Sequence, residues 1–133
     1  MDKQQLLAMP ESEYMNDAQV AYFKGVLSAM LAESRERIDS SKLSLANLDT
    51  PSDPADLATV EEARGELARN IERDSQAVRK VRLALDAIED GEYGYCSATG
   101  AEIGLQRLLS QPAALFCFDE QTRLEQLARH QAR

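Results

Sequence analysis

Residues 67–88 read LARNIERDSQAVRKVRLALDAI, and their periodicity decides the fold. Leu67, Ile71, Asp74, Val78, Val81, Leu85 and Ile88 follow one another at alternating steps of four and three. That is the a/d rhythm of a helix packed against another helix, with one polar fault at Asp74. Charges of both signs occupy the other faces, so those faces are solvated. The pattern predicts a helix from about Pro54 to Asp90. Gly91 closes it, because glycine accepts the left-handed backbone that follows a last helical turn.

A partner for this stripe lies upstream. Asn16 and Asp17 are both suitable N-caps, and a helix is predicted from there to about Leu48. Val20, Phe23, Leu27 and Met30 begin its apolar face. Leu31, Ser34, Ile38, Ser41, Leu45 and Leu48 continue it, with Ser34 and Ser41 as weak members. Gly25 costs this helix only about 1 kcal/mol. Between the two helices, "DTPSD" at 49–53 is turn chemistry. So short a connection makes the helices antiparallel. Each buries the other's stripe, and ~35 residues of helix extend roughly 50 Å. The expectation is a coiled-coil rod over 17–90 with its tip at 50–57, preceded at 1–16 by a loose lead-in or a short helix.

The texture changes after the rod. Glycines concentrate in "GEYGYCSATGAEIG" (91–104), and Tyr93, Tyr95, Ile103, Leu108, Leu115, Phe116 and Phe118 form an apolar cluster. This predicts a small globular knob over 91–118. A closing helix over 119–133 carries Leu124 and Leu127, with Arg129 and Arg133 favouring its negative end. The fold class is therefore mainly α: a long antiparallel hairpin, a small knob and a C-terminal helix.

Composition narrows the function classes. The 133 residues are 29% charged and 5% aromatic, with no Trp, which favours solvated helices over a thick core. The net charge is −8. Nucleic-acid binding needs a basic stripe to displace counterions, and none is present. Anionic membrane surfaces are disfavoured for the same reason. No apolar run approaches the ~20 residues of a membrane span. The N-terminus lacks a signal-peptide core, so a cytoplasmic protein with reduced thiols is expected.

The candidate chemistry is sparse. Asp53 before Pro54 is a good helix start, and Asp56 then stands at the third helical position, where a carboxylate favours the dipole. Capping alone accounts for both. An enzyme's carboxylate pair needs a walled site, and a rod tip has no walls, so chemistry there would require a partner's cleft. Cys96 and Cys117 are 21 residues apart. A zinc ribbon carries C-x2-C twice, but the fourth positions here are Thr99 and Glu120. The residues leave three readings open: bound zinc, two reduced thiols in an apolar knob, or a redox pair. His130 reads as a solvated helix-end residue. No P-loop, G-x-S-x-G or H-E-x-x-H occurs.

"DPADLAT" at the tip, then "IEDGEYGYC", "GAEIGLQRL" and "LFCFDEQ" in that order, resemble the DksA/TraR family of bacterial transcription factors. The likeness runs from about residue 17 to the C-terminus. It implies a non-enzymatic regulator that binds RNA polymerase rather than DNA. The coiled coil enters the secondary channel, the pore that brings substrates to the active site. The family's tip pattern falls on Asp53, Asp56 and Ala58. The implied effect is destabilisation of open complexes at ribosomal RNA promoters, coupled through ppGpp to the stringent response.

The same resemblance assigns further polymerase contacts or hinge packing to Arg69, Asn70 and Arg107, and a place in a ppGpp site to Lys80. Typical members carry cations where this chain has Gln111 and Gln121; losing two cations weakens phosphate binding, so either other groups compensate or the response to ppGpp is blunted. The family's four-cysteine zinc site is matched only by Cys96 and Cys117, with Thr99 and Glu120 in the other two positions. The chain thus resembles a zinc-independent paralogue with a degenerate zinc-finger-like knob, no metal, no resident cofactor and a monomeric state. Two other readings remain at this stage. A coiled-coil adaptor would use the rod faces, and Asp53→Asn would be neutral. A Gre-type cleavage factor would use tip carboxylates to hold a metal, although its globular end and tip pattern differ.

Overall fold

The computed structural model describes residues 1–132. Its elements are α1 (Lys3–Leu7), a 3-10 turn (Glu11–Glu13), α2 (Asp17–Ala46), α3 (Pro54–Glu89), α4 (Leu105–Ser110) and α5 (Phe118–Gln131). Tyr95 and Glu102 form one isolated antiparallel bridge. No helix among the described residues is long and apolar enough to cross a membrane.

Local chemistry explains the ends of the long helices. Asn16 is the cap of α2: its side-chain oxygen accepts the Gln19 amide at 2.9 Å. Gln19 answers by accepting the Met15 amide at 2.7 Å, a reciprocal arrangement that satisfies two amides at once. At the other end, α2 stops at Ala46, two residues before the predicted limit. The Asn47 amide is shared between the Leu43 and Ser44 carbonyls, and Leu48 bonds back to Leu45. The last turn tightens and Leu48 falls just outside the helix, still half-buried. α3 ends in a Schellman motif at the predicted glycine. Gly91 has φ 73°, its amide bonds to Ile88, and the Glu92 amide bonds to Ala87.

Contacts divide the chain into two compact units. The first is Ala29–Val81, the hairpin with its turn. Every predicted seam residue in it is buried or half-buried. The two polar seam positions are matched rather than merely tolerated. Asp74 and Ser34 are each 3% exposed. Arg37 donates from Nε to Asp74 Oδ1 at 3.3 Å and from its other arm to Ser34 Oγ at 3.1 Å. Arg73 approaches the same carboxylate oxygen at 3.6 Å.

The second unit comprises residues 1–28 and 82 onward. Its core is Leu6, Phe23, Leu27, Ala84, Tyr93, Cys96, Ile103 and Leu108. Phe23 meets Tyr93 with ring centroids 5.7 Å apart. Full burial of a side chain such as Phe23 or Leu27 contributes roughly 1.5–3 kcal/mol. Lys24 of α2 pairs with Glu89 of α3 at 3.4 Å, an exposed pair worth little.

Of the two forms expected for the lead-in, the short helix is the one present: α1 packs against α4 and its Leu6 is fully buried. Two other expectations are corrected. Phe118 is not a core residue. It is the first residue of α5 and is 68% exposed, while Tyr95 is 37% exposed. The closing helix is Phe118–Gln131 rather than 119–133, and Arg133 lies outside the described residues.

Candidate functional site

At the hairpin turn, the chain passes from Ala46 to Pro54 through seven residues without helical structure. Asp53 caps α3, with its Oδ1 accepting the Ala55 amide at 2.8 Å and its carbonyl accepting the Leu57 amide at 2.8 Å. Pro54 has no amide to leave unsatisfied. Asp56 lies in the first turn of α3. Asp53, Asp56 and Ala58 are all exposed, as is Leu57 at 38%. The structure thus brings the two tip carboxylates onto one exposed helix start. Neither is enclosed, so water screens both, and proton-transfer chemistry has no dry site there.

Arg69 and Asn70 sit further along α3, Arg69 exposed and Asn70 half-buried. Asn70 lines a shallow groove with Arg37, Arg73 and Asp74. Lys80 is exposed on the same helix. Gln111 caps α4 through its amide, which bonds to the Arg107 carbonyl at 2.7 Å. The Gln121 side-chain amide donates to Glu125 at 3.2 Å. Lys80 belongs to the hairpin unit, whereas Gln111 and Gln121 belong to the other. Arg107 is half-buried and donates to the Phe116 carbonyl at 3.1 Å. It also lines a cavity of about 620 Å³ shared with Met9, Tyr14 and Phe118.

The four positions that the family resemblance aligns with a zinc site, Cys96, Thr99, Cys117 and Glu120, have separate fates. Cys96 is 3% exposed and Cys117 is half-buried; both are free thiols. Burial works to raise the Cys96 pKa. The Thr99 hydroxyl and the amides of Cys117, Thr99 and Ala98 outweigh it and pull the thiol down to about 6. The Cys96 loop is closed by Cys96 N–H to Ala101 at 2.7 Å and Gly100 N–H to Cys96 at 2.8 Å. Thr99 is exposed, and its hydroxyl accepts the Ala101 amide at 3.3 Å. Glu120 is engaged by Arg123, whose guanidinium reaches it at 2.6 Å; that bond holds its carboxyl below the usual range. Among the described residues, no three His, Cys, Asp or Glu side chains converge to hold an ion. A four-ligand zinc site does not fit this donor set.

Tyrosine hydroxyls tie this region together, and the sequence reading missed the first of them. Tyr14 donates to the Gly94 carbonyl at 2.6 Å and accepts the Gly104 amide at 2.9 Å. Tyr93 donates to the Pro112 carbonyl at 2.7 Å. Burial raises the pKa of both hydroxyls, so they remain donors.

The family described as "Prokaryotic dksA/traR C4-type zinc finger" matches residues 91–126. The RNA polymerase-binding transcription factor DksA of Escherichia coli (strain K12) is 36% identical over 118 residues, covering 87% of this chain and 78% of that protein. The protein of the same name from Caulobacter vibrioides (strain NA1000) is 37% identical over 123 residues, covering 90% and 84%. The solved structure of transcription factor DksA2 from Pseudomonas aeruginosa superposes with a TM-score of 0.84 at 40% identity, covering 97% of this chain and all of that one.

Proposed function

The chain belongs to the DksA/TraR family, and on that premise we propose that it binds RNA polymerase through the secondary channel and regulates transcription there. Residues 17–90 supply the inserted hairpin. Asp53, Asp56 and Ala58 approach the polymerase's catalytic region without performing chemistry, and the chain is not an enzyme. The effect is to shorten the lifetime of open complexes at ribosomal RNA promoters as part of the ppGpp-linked stringent response, without structural zinc. The protein acts as a cytoplasmic monomer and does not contact DNA directly. Arg69, Asn70 and Arg107 are further polymerase contacts. Lys80 is the chain's contribution to phosphate recognition, and the neutral Gln111 and Gln121 blunt the response to ppGpp.

One observation carries this reading: two exposed carboxylates at a capped helix start, at the turn of a two-helix hairpin. Such a tip has nothing of its own to act on, and a cavity supplied by a partner gives it a target. The test is open-complex lifetime at a ribosomal promoter with wild type and Asp56→Asn at matched polymerase occupancy. Wild type shortens the lifetime and Asp56→Asn does so much less. Equal shortening by both would remove the tip from the mechanism.

A further inference from the structure

The loop that carries Cys96 and Thr99 is the place where a zinc-binding relative would be fastened by metal, and here the donors do not fit one. Something else must close it. The loop leaves and returns through two short backbone segments, 94–96 and 101–104. They pair through Ile103 N–H to Gly94 at 2.8 Å and Cys96 N–H to Ala101 at 2.7 Å. Two such bonds make a marginal ribbon on their own.

The Tyr14 hydroxyl sits across the base of that ribbon. It donates to the carbonyl of Gly94 on one segment and accepts the amide of Gly104 on the other. Its ring meets Tyr95 edge-on at 5.6 Å. The neighbouring residue completes the fit. Met15 has φ 57°, and its side chain fills the space beside Gly94 so closely that a Cβ there would lie 2.6 Å from Met15 Cγ. The segment is itself anchored at both ends. Leu6 is fully buried where α1 packs against α4, and Met15 N–H is held by Gln19.

We infer that residues 2–16 are a clasp that holds the Cys96 loop shut in place of a metal, with the Tyr14 hydroxyl as its pin. The test is amide hydrogen exchange by NMR on the full-length, chelator-treated protein. Tyr14→Phe removes one oxygen and keeps the ring; Tyr22→Phe is the control. Tyr14→Phe is expected to speed exchange at Cys96, Ile103 and Gly104 by about tenfold, the factor that accompanies losing one hydrogen bond's net contribution. The amides of α3 and those of Tyr22→Phe keep their wild-type rates. Three results overturn the clasp: unchanged rates at those three amides in Tyr14→Phe, an equal acceleration throughout α3, or a tenfold slowing of the same amides in wild type when zinc is returned.

Discussion

Asp53 caps α3, and the proposed function gives it a second role as a polymerase contact; ordinary mutagenesis confuses the two. As a cap it needs a side-chain oxygen, and the Ala55 amide at 2.8 Å uses it; as a polymerase contact it needs a charge. Asp53→Ala removes both and should lower stability by about 1 kcal/mol, read as a lower melting temperature. Asp53→Asn keeps the cap, so its melting curve should overlay wild type while its effect on open-complex lifetime falls. Full activity in Asp53→Asn would mean that the cap, not the charge, is what matters. Cys96 offers a second residue-scale test. Against the opposing effect of burial, the Thr99 hydroxyl and the neighbouring amides pull its folded thiol down to about 6, compared with ~8.5 for an unperturbed thiol. Between those values the unfolded chain binds the extra proton, so stability rises with pH across that window and is lost as pH falls through about 6. Urea denaturation at pH 6 and pH 8 should show wild type gaining more than Cys96→Ser. Equal gains would mean that the amides of Ala98, Thr99 and Cys117 do not hold a thiolate.

At the scale of the helices, spacing carried nearly all the information. The steps of three and four placed the seam residues on the inner faces of α2 and α3, Leu48 beyond the end of α2 excepted, because a helix's face is determined by neighbours a turn away. Gly91 marked the end of α3 for an equally local reason. What periodicity could not show was that Ser34 and Asp74, two weak positions on different helices, are joined by Arg37. It also missed the clasp, because Tyr14 bonds to partners 80 and 90 residues away, and it counted Phe118 as core from hydrophobicity alone. The Ser34–Arg37–Asp74 cluster aligns the helices in one register, since a slip takes the buried carboxylate away from Arg37 and leaves it only Arg73 of its own helix. Asp74→Leu should therefore raise hairpin stability by about 1–3 kcal/mol, because it removes the cluster's one buried charge while Arg37, 53% exposed, keeps its own charge in water, and it should loosen register. The amide NMR signals of α2 and α3 report that register: wild type gives one set. Asp74→Leu is expected to give more than one as registers interconvert, and to melt higher. A variant that melts lower would show that the ionic cluster stabilises the hairpin outright.

For the molecule as a whole, the governing quantity is charge. The net charge is −8, and residues 49–66 carry six carboxylates, Asp49, Asp53, Asp56, Glu61, Glu62 and Glu66, with a single cation, Arg64. Such a surface is drawn to a basic one over distances that salt controls, with a screening length of about 10 Å at 0.1 M ionic strength and shorter above it. If binding runs through this acidic end, affinity for RNA polymerase should fall severalfold between about 0.05 and 0.3 M salt, mostly through slower association, because long-range steering acts on encounter. Dissociation should change less, since contacts made at close range are screened less. Charge also distinguishes this reading from an adaptor that docks a helix against the apolar faces of α2 and α3. Burial of apolar surface is not weakened by salt at these concentrations, so an adaptor would hold its affinity across the range. Stopped-flow association measured at several salt concentrations, with Asp53→Asn and Asp56→Asn combined in one chain, separates the two. A flat salt dependence in wild type favours the adaptor. A steep one that flattens when the two tip charges are removed places the encounter at the turn.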